Sequence, residues 1–187
     1  EKELFHEASV KIPLIIVDPR KSADKTRGQI SQQLVESIDL LPTFIEAVDL
    51  QVPTGRLEGH SLMPIINNEI ENNLRNTVFS ELDYGCYPVS DKLNINVNDA
   101  RIFMIRNHKW KYIYYKGFDA QLFDLENDPN EFNDLGTSST HSDIRKTMKD
   151  LLLDRLISRK NRVTQEDDVY AEMKRDDNKK GIIIGRW

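Results

Sequence analysis

Carboxylates crowd into residues 121–136, among them Asp124, Asp128, Glu131 and Asp134. Carboxylates this close could hold a cation. A calcium loop, however, sets Asp or Asn ligands at alternate positions around a central glycine, and that pattern is absent. Asp128-Pro129 reads instead as turn chemistry, with the aspartate accepting from nearby backbone N–H groups. The histidines His6, His60, His108 and His141 do not fall at metal-ligand spacing. His108 belongs to a tight turn. His60 lies in a Gly-His-Ser segment, where a loop-stabilising hydrogen bond is expected ahead of a place at a substrate cleft. Trp110, Tyr112, Tyr114 and Tyr115 could stack nucleobases. The flanking basic residues are few, so these aromatics are expected to pack against a helix. Cys86 is the single cysteine, which leaves no internal disulfide; a half-buried loop position is expected for it.

The elements that must position these residues are legible from periodicity. Residues 102–106 alternate, Asn107-His108-Lys109 turn, and residues 110–115 run back. Gly117 permits a second turn before a strand at 122–125, and a strand is expected at 77–81. The sum is an antiparallel meander. Ile144, Met148, Leu151, Leu152 and Leu156 form one helical stripe that can cover a face of it, with Ser142 or Asp143 as cap. Arg155, Arg159 and Lys160 sit at that helix's C-terminal end, where cations favour the macrodipole. A shorter helix is expected after Asp39, with Pro42 in its first turn, and a helical turn at 62–66. Residues 83–99 read as a long irregular insertion. Residues 9–17 read as a strand whose apolar run, 14–17, suits burial on both faces of a helix-covered sheet. Such a strand needs neighbours, and only eight residues precede it. The chain opens on Glu1, so the expectation is a piece of a larger protein.

The 187 residues carry a net charge of −5, with 39% hydrophobic and 30% charged. That is ordinary globular composition. Its mild acidity gives no electrostatic footprint for nucleic acid, and no apolar run approaches a membrane span. The lone cysteine fits a reducing compartment. A cytoplasmic location is therefore expected, with a periplasmic one left open by the missing natural N-terminus.

Five segments in order resemble the C-terminal part of the sulfatases and of their relatives, the phosphonate monoester hydrolases, within the alkaline phosphatase-like superfamily. They are residues 5–19, 37–47, 58–64 (Glu-Gly-His-Ser-Leu-Met-Pro), 110–115 and 122–135. The resemblance covers residues 1–160, and the ending, 164–187, looks more like the phosphonate monoester hydrolase branch. It implies an α/β fold overall, α+β within this fragment. Residues 1–75 would be a remnant of the large catalytic domain, holding the last strand and helix of its mixed sheet. Residues 76–160 would be a small antiparallel sheet packed on a helix, and 161–187 a C-terminal arm.

The resemblance also implies a parent enzyme that hydrolyses sulfate esters or phosphonate monoesters. It would use a formylglycine nucleophile and a divalent metal, calcium or manganese, with the nucleophile and the metal ligands upstream of Glu1. Of that machinery only Lys2 is present. It stands eleven residues before Pro13, matching the family lysine that contacts the anionic group of a small ester substrate. Cys86-Tyr87-Pro88-Val89-Ser90 imitates the start of the nucleophile motif, but Ser90 stands where that motif needs arginine, so it reads as coincidence. The chain alone is therefore expected to be inactive. Its expected partners are the missing N-terminal catalytic portion and further copies of itself, joined through the arm by Ile182, Ile183, Ile184 and Trp187. A purely structural or oligomerisation module, or a relative that kept the fold and lost catalysis, are the alternatives.

Overall fold

The computed structural model describes residues 4–69, 73–160, 164 and 169. Its centre is a four-stranded antiparallel sheet in the order β1-β2-β3-β4: β1 Val78–Asp83, β2 Arg101–Arg106, β3 Trp110–Tyr115 and β4 Gln121–Asp124. Each strand follows its neighbour in sequence, as the meander reading requires, and Ile105 pairs with both Phe79 and Tyr112. Because side chains alternate across a strand, the register sorts the sheet into two apolar faces. Ile105, Tyr112 and Leu122 meet Met148 and Leu152 of α5, Ser142–Ile157. Ile102, Met104, Ile113 and Phe123 face the other way and pack with Phe5, Tyr84 and Ala100.

The aromatic hairpin does pack on a helix, through Trp110, Tyr112 and Tyr114; Tyr115 goes to the opposite face. Neither Ser142 nor Asp143 caps α5. A 3₁₀ turn, Ser139–His141, leads into it, and Ser142 is already its first residue. The insertion at 83–99 contains a short helix, α4 Pro88–Lys92, started by a proline whose missing N–H costs nothing in a first turn.

Residues before the sheet are arranged differently from the sequence expectation in one place. The strand expected at 9–17 is absent: Glu7–Val10 form a short helix, α1, and residues 11–19 run without a ladder partner. A lone strand cannot satisfy its own backbone N–H and C=O groups, and the apolar run joins no sheet. Helices α2, Leu40–Ala47, and α3, Met63–Ile66, fall where expected. Among the described residues no helix is long and apolar enough to cross a membrane. The C-terminal arm lies outside the described residues apart from Thr164 and Val169.

Candidate functional site

Lys2 lies outside the described residues, but the segment that follows it is anchored by a charge cluster on the sheet. In the β2–β3 register Arg106 stands directly opposite Lys111, on the face away from α5. Like charges so placed repel, and Lys111 is fully buried. The fold supplies two carboxylates. Glu7 of α1 accepts from Arg106 at 2.5 Å and lies 2.8 Å from Lys111 Nζ. Glu131 lies 2.6 Å from the same Nζ and accepts from the Glu7 backbone N–H at 2.6 Å. Lys111 Nζ directs its hydrogen bond to the Phe5 carbonyl at 2.8 Å. The Oε1 atoms of Glu7 and Glu131 meet the ammonium at ion-pair distance rather than along hydrogen-bond directions. Burial alone would raise the Glu7 carboxyl, but the ammonium of Lys111, then the guanidinium of Arg106, outweigh it and hold the group below its ordinary value.

Glu131 reaches this position from a left-handed backbone at φ +58°, which costs a non-glycine residue about 1–2 kcal/mol. His6 adds its ring against Phe123, 5.7 Å between centroids. The result is a clamp in which α1, β2, β3 and the turn after β4 hold residues 5–7 against the sheet.

The rest of the acidic stretch is spent on turns. Asp124 Oδ1 accepts from the Glu126 and Asn127 N–H groups, Asp128 from Asn133 N–H at 2.7 Å, and Asp134 from Leu122 and Gly136 N–H. Among the described residues no three His, Cys, Asp or Glu side chains converge as a metal site. Their donor set therefore does not fit the divalent metal of the implied parent. Cys86 is exposed, not half-buried, because its turn projects ahead of α4. The His60 ring is exposed; its backbone N–H makes the loop bond instead, to Asp39 Oδ1 at 2.8 Å.

Asp39 is the hub of a second cluster. Fully buried, it accepts from Glu36 N–H at 2.7 Å, from His60 N–H and from Arg75. Arg75 also pairs with Glu36, whose other oxygen accepts from Phe79 N–H on β1 at 2.6 Å. Thr43 donates to the Asp39 carbonyl and accepts from Leu62 N–H at 2.9 Å. Asp39 precedes α2 but makes no side-chain cap to it, since its carboxylate is committed to these three donors. The loop at 58–62 can lie this close only because residue 59 is glycine. A Cβ there would sit 2.1 Å from the Ile38 carbonyl oxygen. Gly59→Ala is expected to destabilise the chain by about 1–3 kcal/mol, read as a lowered urea midpoint; an unchanged midpoint would contradict that packing.

Residues 12–50 show the opposite character. Ile15 is 87% exposed, Val17 82% and Phe44 63%, and Ile12, Ile30, Leu41, Val48 and Leu50 are exposed as well. The two core clusters draw on Phe5, Val10 and residues from 79 onward, and on none of these. So many exposed large apolar side chains are unusual for the surface of an isolated domain.

Residues 1–158 match the family described as N-sulphoglucosamine sulphohydrolase, C-terminal. The chain belongs to this sulfatase C-terminal family. Arylsulfatase K of Xenopus laevis is 31% identical over 137 residues, covering 72% of this chain and 24% of that protein. The multifunctional alkaline phosphatase superfamily protein PehA of Trinickia caryophylli is 27% identical over 134 residues, covering 70% of this chain and 26% of its own length. The phosphonate monoester hydrolase from Silicibacter pomeroyi has the same fold, with a TM-score of 0.64 at 22% identity over 73% of this chain and 28% of that one. The chain thus spans about a quarter of the curated relatives it matches. The sheet packed on α5 is this sulfatase family's C-terminal architecture.

Both charge clusters escaped the sequence reading. Lys111 carried a faint signal, as the cation among the aromatic and apolar residues of β3. Its partners Glu7 and Glu131 lie 104 and 20 positions away, and spacing cannot pair groups so far apart. Glu131 looked like one more acid in a solvated turn.

Proposed function

We propose that this chain is the C-terminal portion of a metal-dependent hydrolase of sulfate esters or phosphonate monoesters, inactive by itself. In this reading it docks on an upstream catalytic body and delivers Lys2 to the anionic group of the substrate. The observation that carries it is the exposed apolar face of residues 12–50, set beside a sheet-and-helix unit that completes its own core. Burying a large apolar side chain contributes about 1.5–3 kcal/mol, so several of them would hold two parts of a body together. The nucleophile and the metal would come from the upstream part, where the metal would polarise the ester oxygens.

What this chain contributes is positioning and charge. A lysine suits an anion as a point charge with three donors on a flexible stem. The clamp fixes Phe5 and Glu7, and so the root of the segment bearing Lys2. As tests, the 187-residue chain with added calcium or manganese should show no turnover of 4-nitrophenyl sulfate or 4-nitrophenyl phenylphosphonate. In a longer polypeptide containing the upstream part, Lys2→Ala should lower kcat/KM by about 10²-fold, the scale of losing one donor to developing negative charge. Turnover by the short chain, or an unaffected Lys2→Ala enzyme, would refute the reading.

A further inference from the structure

On the α5 face of the sheet an open groove of about 630 Å³ runs between β3, the β3–β4 turn and α5. Tyr112 and Tyr114 reach it as alternate residues of β3, and Arg145 and Lys149 as successive turns of one α5 face, with Lys146 and Phe118 beside them. Three cations gather here in a chain whose net charge is −5. Lys146 and Lys149 make no ion pair among the described residues, although α5 also carries Asp143, Asp150 and Asp154. Arg145 is held by one nitrogen: Nη1 donates to the Leu135 carbonyl at 3.3 Å and to that of Ser138. Its remaining N–H groups have no hydrogen-bond partner among the described residues.

Tyr112 is the second, independent sign. It is 4% exposed and lines the groove, yet its hydroxyl makes no hydrogen bond among the described residues. Burial, then the neighbouring Tyr114, raise this phenol above its ordinary value against the opposing charge of Arg145, so at neutral pH it keeps its proton and can donate. Among the described residues, the only carboxylate lining the groove is Asp119.

We infer that this groove binds a tetrahedral oxyanion, either a free sulfate or phosphate ion or the terminal group of a monoester. The Tyr112 hydroxyl and Arg145 donate to it, and Lys146 and Lys149 supply charge. Charge-assisted hydrogen bonds from such a set are the strong kind. In the monoester case Phe118, half-exposed at the mouth, covers the organic part.

The test is titration of the 187-residue chain with inorganic sulfate, inorganic phosphate and phenyl phosphate, followed by calorimetry and by amide chemical shifts. The proposal expects saturable one-to-one binding, with shifts centred on Ala120, Gly136, Thr137 and the first turns of α5. Phenyl phosphate tighter than phosphate assigns the site to a monoester; equal affinities assign it to the free ion. Lys146→Glu with Lys149→Glu, both exposed and so harmless to folding, should weaken binding at least tenfold. Tyr112→Phe, which keeps the ring and its packing, should weaken it about fivefold. No saturation with any of the three probes, shifts elsewhere, or affinities unmoved in both variants would overturn the inference.

Discussion

Lys111→Met should lower the stability of the chain by about 3–5 kcal/mol at neutral pH, the scale of removing one partner from a buried ion pair. The methionine fits the space, but Glu7 and Glu131 lose the cation between them and the Phe5 carbonyl loses its donor. Against a typical total of about 5–15 kcal/mol, that is enough to leave a large unfolded fraction. The pH dependence carries a sign that can be checked. Glu7 has its carboxyl held below the ordinary value of 4.5 in the folded chain. Its contribution is therefore fully present above that value and is lost as pH falls through the folded pKa. In Lys111→Met most of that contribution is already gone, so the gap between variant and parent should narrow as pH is lowered from 5 to 3. Urea denaturation across that range measures both effects. A neutral-pH difference under about 1 kcal/mol would contradict a buried, structurally required ammonium.

Asp39→Ala should produce a loss of similar size, about 3–5 kcal/mol, by a different route. It strands Arg75 against Glu36 alone and leaves the Glu36 and His60 N–H groups without their acceptor. Because Asp39 ties the approach to α2 to the loop at 58–62, the damage should be local before it is global. Amide hydrogen exchange should accelerate at His60 and Leu62 well before it does at Ile105 or Ile113 of the sheet. Uniform acceleration across the chain would show that the cluster is not a separate tie.

The meander, α2 and α5 were legible because each depends on short-range periodicity: alternation along residues 102–106 and 110–115, and the Ile144-Met148-Leu152 stripe. The apolar run at 14–17 was legible in composition but not in outcome. A strand is defined by its neighbour, and the described residues hold none for it. The candidate site was the least legible part. Lys111, Glu7 and Glu131 meet only because the β2–β3 register sets Arg106 opposite Lys111 and the turn after β4 folds back over them. Asp39 stands just before α2, where a helix cap belongs, yet its carboxylate serves the His60 N–H and the Arg75 side chain. The family resemblance pointed to Lys2, whereas the clamp that fixes Phe5 and Glu7 behind it belongs to tertiary structure alone.

The central proposal is that the exposed apolar residues of 12–50 are covered by an upstream catalytic body. Analytical ultracentrifugation of the 187-residue chain mixed with the separately expressed upstream part of its polypeptide tests this most directly. The account predicts a one-to-one complex that is lost in Ile15→Asp with Val17→Asp, two changes at exposed positions that leave the sheet and α5 intact. Two separate species with the unsubstituted chain, or a complex that survives both aspartates, would contradict it.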